Sequence, residues 1–267
     1  MSGQAGSLDP NDHQMIFMGG LHRSGTSFLA RMLASHPEAS GLTGTNVAED
    51  EGQLVQNVYD AARLHGGPGK FAFSPEMHLT EDSASCTPES TAALMRAWGP
   101  YWDLSKRVLV EKSPPNLTKS RYLQALFPDA YFVMIMRHPI AVAEATAKWT
   151  KTSRLSLVSH WVAAHEIMAA DLPFLKRVMT LRYEDVVADP RTEFHRVLEF
   201  LGLPPAETTE HVRSGVNEQY YSKWQRGMPW ARRSGANATE RYQARVERFG
   251  YSLVPPHVAD RLPTEFG

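Results

Sequence analysis

Met15-Ile16-Phe17-Met18-Gly19-Gly20-Leu21-His22-Arg23-Ser24-Gly25-Thr26-Ser27 begins with four apolar residues, halts at a glycine pair and ends rich in hydroxyls. An uninterrupted apolar run of this length reads as a strand buried on both faces and ending in a turn. The spacing of Gly20 and Gly25 is that of a phosphate loop, in which glycines let successive backbone N–H groups curl around an anion at a helix N-terminus. A helix is expected over 26–35, with Phe28, Leu29, Met32 and Leu33 on one face, and His36-Pro37 ends it. A nucleoside-triphosphate loop carries lysine where Thr26 stands. Ordinary ATP or GTP hydrolysis is therefore disfavoured, and Arg23 becomes the obvious cation inside the loop.

Working outward, short apolar runs at 108–110, 130–136 and 178–181 read as further buried strands. Helices are expected over 88–104 up to the Gly99-Pro100 break, and over 119–127, 140–149, 155–170 and 191–201. Residues 40–53 read as a loop with a helix starting near its end, and Gly66-Gly67-Pro68-Gly69 as a flexible loop. Strands alternating with helices imply an α/β fold: a phosphate-loop-type three-layer sandwich with a central, mainly parallel sheet flanked by helices. Ligands on such sheets bind beyond the carboxyl ends of the strands. The segments 19–27, 111–115 and 137–139 all follow proposed strands, so they are expected to converge on one site.

The chain of 267 residues is read as a loose tail over 1–13 and one domain over 14–267. Its 28 basic and 29 acidic residues nearly cancel, which argues against binding nucleic acid or a membrane surface by overall charge. Cys86 is the one cysteine, so no internal disulfide can form. A polar start and the lack of a long apolar run lead to the expectation of a cytoplasmic protein. The scattered histidines and lone cysteine point to no metal centre.

Here the chain resembles the sulfotransferases that use 3′-phosphoadenosine-5′-phosphosulfate (PAPS), in particular the branch of tyrosylprotein sulfotransferases and their bacterial relatives. Residues 20–27 match the family's loop for the 5′-phosphosulfate end. Tyr131-Phe132-Val133-Met134-Ile135-Met136-Arg137-His138-Pro139 looks like its second signature, a strand followed by an arginine that grips the 3′-phosphate. Leu181-Arg182-Tyr183-Glu184-Asp185 is similar to its Arg-Tyr-Glu-Asp segment, and Ser222-Lys223-Trp224 to the stretch before its C-terminal nucleotide loop.

The resemblance implies PAPS as co-substrate, no required metal and a hydroxyl acceptor, whether a small molecule, a saccharide or a peptide tyrosine. His22, Arg23, Ser24, Gly25, Thr26 and Ser27 would hold the 5′ end, with Arg137, Tyr183 and Lys223 on the rest of the nucleotide. Lys112 would follow charge on the leaving oxygen, assisted by Ser222. The family's serine eight residues after the arginine is Ala145 here, with Thr146 next to it. By the same resemblance the general base would be a carboxylate of the run Glu49-Asp50-Glu51, Glu51 first and Glu49 second, with His22 and His36 as competitors. Aromatic residues over 43–80, with Trp149 and Trp161, suggest an apolar or ring-bearing small-molecule acceptor. The sequence-level alternatives are a nucleotide kinase or phosphotransferase, and a non-catalytic nucleotide-binding protein. Oligomeric state is not legible.

Overall fold

In a computed structural model, the described residues are 10–208, 210, 215–226, 236–263 and 266. Five parallel strands form the central sheet: β1 (Gln14–Gly19), β2 (Ala39–Gly41), β3 (Val108–Lys112), β4 (Tyr131–Met136) and β5 (Val178–Arg182), in the order β2-β3-β1-β4-β5. Nine described α-helices accompany them: α1 (Thr26–Ala34), α2 (Pro88–Trp98), α3 (Ser120–Leu126), α4 (Pro139–Thr146), α5 (Arg154–Asp171), α6 (Tyr183–Ala188), α7 (Pro190–Phe200), α8 (Val216–Arg226) and α9 (Ala236–Glu247). A small antiparallel pair, β6 (Tyr251–Leu253) and β7 (Pro256–Val258), closes the described chain.

Alternation along the strands makes the three layers. Met15 and Phe17 of β1, with Phe132 and Met134 of β4, face one core that holds Trp98, Leu123, Trp161 and Val246 from α2, α3, α5 and α9. Ile16 and Met18, with Val133 and Ile135, face the other, where Leu29 and Leu33 of α1 meet Val197 and Leu198 of α7. Both faces of the strands are dry, which is why their sequences are continuously apolar rather than alternating.

Register then places the site. Met18 of β1 pairs with Lys112 of β3 and with Val133 of β4, and Met136 pairs with Arg182 of β5. The loops after β1, β3 and β4 therefore leave the sheet on the same edge, as the sequence implied.

One expectation about the elements is corrected. No α-helix begins near residue 53; residues 48–77 instead run through successive 3-10 turns. Gln56 holds one bend there, its Oε1 accepting from Val58 N (2.6 Å) and Tyr59 N (3.1 Å), which spends locally the polar groups a helix would leave free. Tyr183, the residue after β5, opens α6. Two C-terminal cations are paired within the chain: Lys223 lies 2.9 Å from Glu144 Oε2, and Arg245 bonds Glu166 through Nε at 2.7 Å. Arg232 and Arg233 lie outside the described residues.

Candidate active site

The turn after β1 is possible because Gly20 (φ 151°) and Gly25 (φ 99°) take positive φ and because nothing projects from their Cα atoms. A Cβ on Gly20 would stand 2.4 Å from the Ile135 carbonyl oxygen, and one on Gly25 would stand 2.7 Å from the Tyr183 ring. Arg23 also adopts positive φ (72°), unusual for a branched-out side chain and a sign of a loop held by its surroundings. Gly25 is the N-cap of α1 and supplies no side-chain bond, so the first amides of that helix are open to an anion. Ser24 Oγ is buried beneath the loop with no hydrogen-bond partner.

Around this loop lies a cleft of about 350 Å³, lined by His22, Arg23, Gly25, Thr26, Ser27, Glu49, Glu51, Arg137, Trp149 and Tyr183, among others. Arg137, one residue beyond β4, is buried and fixed on every side. Its Nε and Nη2 donate to Asn217 Oδ1 (2.9 and 2.7 Å), and its Nη1 donates to the Arg23 carbonyl oxygen (2.9 Å). Its guanidinium lies 4.1 Å from the centre of the Tyr183 ring. Asn217 is itself oriented by donating to Glu184 Oε1 (2.7 Å). Arg23 reaches outward over the Trp149 ring, 4.5 Å from its centre.

The second half of the cleft joins the loop after β2 to the end of β3. Lys112 Nζ donates to the Glu49 carbonyl oxygen (2.8 Å) and stands 3.6 Å from Glu51 Oε1. Glu49 and Asp50 both have positive φ (55° and 48°), and Asp50 Oδ1 accepts from Thr45 N (2.9 Å), so Asp50 serves to hold the loop. Glu51 is buried, which pushes its carboxyl above the ordinary range, while Lys112 and a bond from Gln53 Nε2 (2.6 Å) pull it down. His22 has Nδ1 buried without a partner; burial and the Lys112 charge lower its imidazole to about 4, so it is neutral at pH 7.

The structure thus brings together His22, Arg23, Gly25, Thr26, Ser27, Glu49, Glu51, Lys112, Arg137 and Tyr183. It does not bring in the remaining residues as expected. Ser222 is exposed on α8 and makes no hydrogen bond to Lys112, and Lys223 pairs with Glu144. His36 bonds the Pro204 carbonyl oxygen through Nε2 (3.0 Å) and accepts from Glu38 N, a helix-ending role. Trp161 is fully buried, its indole N–H donating to the Arg137 carbonyl oxygen (2.9 Å), so it is core and not acceptor pocket. Trp149 and Phe73, by contrast, are exposed. Ala145 is buried in a small apolar cluster with Ala141 and Tyr220, and Thr146 lines a separate small cavity with His22 and His160.

Asn217, Gln53 and Glu111 are positioned at the site without any signal in the sequence pattern for the first two. Glu111 could have been noticed as the one acid in an otherwise buried strand. Among the described residues no group of three or more metal-ligating side chains forms, and no helix is long and apolar enough to cross a membrane.

Fold and cleft define an α/β protein of the phosphate-loop type. The sulfotransferase family model matches residues 15–207, and the chain belongs to that family. It is similar to protein-tyrosine sulfotransferase 2 of Gallus gallus, with 26% identity over 74% of this chain and 53% of that protein. It is similar also to nodulation protein NoeE of Sinorhizobium fredii, with 26% identity over 74% of this chain and 54% of the relative. The chain therefore spans about half the length of these curated relatives. A solved sulfotransferase from Alicyclobacillus acidocaldarius shares the fold, with a TM-score of 0.50 over 88% of this chain and 96% of that one, at 14% identity.

Proposed function

We propose that this chain transfers a sulfuryl group from PAPS to the hydroxyl of an acceptor. The observation that carries this reading is a buried carboxylate, Glu51, that lines the cleft together with an anion loop and has the Lys112 ammonium 3.6 Å behind it. PAPS carries a phosphosulfate at one end and a separate phosphate at the other, and the cleft offers two cationic regions to match. The amides of Gly25, Thr26 and Ser27, with Arg23, suit the 5′ end. Arg137, stacked and pre-aimed, suits the 3′-phosphate. The loop fits such a ligand by its lack of side chains at Gly20 and Gly25 and by the unpartnered hydroxyl of Ser24.

In this reading Glu51 accepts the proton of the attacking hydroxyl. A carboxylate raised by burial is a better base near neutrality than an exposed one. Lys112 stands beside it to neutralise charge gathering on the leaving phosphate. The ion pair between them holds Glu51 ionised and Lys112 aimed before substrates enter. Glu49, exposed on the same loop, contributes its backbone oxygen to Lys112 and so acts in positioning. The exposed ring of Trp149 in the cleft lining favours an acceptor with an apolar or aromatic body.

Calorimetric titration with 3′-phosphoadenosine-5′-phosphate, the expected product, without metal and beside ATP with magnesium, tests the reading. Binding of the bisphosphate and much weaker binding of ATP supports it. The reverse order would move the protein to the phosphotransferases.

A further inference from the structure

Beneath the Glu51–Lys112 pair lies a chain of buried hydrogen bonds that no step above uses. Glu111 is fully buried in β3, immediately before Lys112. Its Oε1 accepts from Ser113 Oγ (2.5 Å) and its Oε2 accepts from Asn116 Nδ2 (2.5 Å). Ser113 Oγ, having given its proton to Glu111, accepts in turn from the backbone N–H of Gln53 (2.9 Å). Gln53 then donates from Nε2 to Glu51 Oε2 (2.6 Å), while its Oε1 is fixed by Ala62 N (2.9 Å). The path runs Glu111–Ser113–Gln53–Glu51–Lys112 and closes on itself, because Lys112 follows Glu111 in the chain. Gly52 is pressed onto this acid: a Cβ there would stand 2.4 Å from Glu111 Oε1.

We propose that Glu111, Ser113 and Gln53 are positioning residues that hold the Glu51 carboxylate against Lys112. The inference rests on the role given to Glu51 and Lys112 above. Three features argue for positioning rather than simple packing. Every member is almost sealed from water, so each broken bond leaves a buried polar atom unpaired. The directions of donation are fixed: Ser113 has one proton, and giving it to Glu111 leaves its oxygen to receive the Gln53 amide. The same acid also reaches the anion loop, since Asn116 Nδ2 donates to the Met18 carbonyl oxygen (3.1 Å), just before the loop begins. One buried carboxyl thus registers the base, the lysine and the phosphate loop to each other. Burial raises the Glu111 carboxyl to about 7, so near neutrality its negative charge beside Glu51 is only partial. The charged or titratable groups that face Glu51 are Lys112 from β3, Glu49 from its own loop and Glu111 from below.

The test is the titration of Glu51 in protein carrying 13C-labelled glutamate carboxyls, its resonance assigned by its loss in Glu51→Gln. Gln53→Met removes the donor to Glu51 directly, and Ser113→Ala removes the bridge that holds Gln53. A hydrogen bond to the ionised form lowers a carboxyl's pKa, so both variants should move the Glu51 midpoint to higher pH. Wild-type midpoints in folded Gln53→Met and Ser113→Ala would overturn the inference; a change in thermal stability alone would mark a packing role. Titration of the wild type and both variants with 3′-phosphoadenosine-5′-phosphate separates the two levels. No binding to the wild type sinks the functional reading, whereas normal binding with an unmoved Glu51 sinks only the positioning role.

Discussion

At the scale of single residues, the site depends on two side chains with opposite charge held in a dry place. Lys112 and Glu51 are both nearly buried, so their attraction is little screened and removal of either leaves the other costly to keep charged. Lys112→Ala is expected to lower sulfuryl transfer by roughly 100- to 1000-fold, the loss typical of one preorganised charge-stabilising donor. Binding of the bisphosphate product should change far less, which calorimetry beside single-turnover rates would show. The pH dependence follows from the same burial. A base is active when ionised, so the rate falls as pH drops through the folded pKa of Glu51, which burial raises. The acid limb of a rate–pH profile is therefore expected above the ordinary carboxylate range, and a limb at or below that range would remove Glu51 from the role.

At the scale of elements, strands with strong apolar runs were legible and short ones were not. β1, β3, β4 and β5 are each dense in Val, Ile, Leu, Met or Phe because both sheet faces are covered. Ala39–Gly41 is too short and too small to carry a pattern; only pairing with β3 makes it a strand. The same holds at the site. Gly20 and Gly25 could be read from their spacing between β1 and α1, and Arg137, directly after β4, from its likeness to the family's second signature. Asn217 and Gln53 could not, because their contacts come from segments remote in sequence and depend on how α8 and the 48–54 turns dock. Helix α5 carries a further prediction. His165 stacks on Trp161 with centroids 3.8 Å apart, and burial lowers its imidazole from 6.5 to about 4. A depressed base contributes stability that is complete above its unfolded pKa and is lost as pH falls through its folded one. The stability advantage of the wild type over His165→Phe should therefore shrink by about 3 kcal/mol between pH 6.5 and 4 in urea denaturation. A difference independent of pH would contradict the buried neutral histidine.

At the scale of the whole molecule, the account rests on one geometric claim. The parallel register of β1, β3 and β4 puts an anion loop, Lys112 and a stacked arginine on one edge of the sheet, where the proposed ligand with two separate phosphates would lie. Calorimetry of 3′-phosphoadenosine-5′-phosphate against adenosine 5′-phosphate, on the wild type, Arg23→Ala and Arg137→Ala, tests this most directly. The wild type is expected to prefer the bisphosphate by roughly 10- to 100-fold, the worth of one charge-assisted contact to the extra phosphate. Arg137→Ala should erase that preference and leave adenosine 5′-phosphate binding nearly intact, while Arg23→Ala should weaken both ligands. Equal binding of the two nucleotides by the wild type, or an unchanged preference in Arg137→Ala, would contradict the claim that this cleft holds both ends of PAPS.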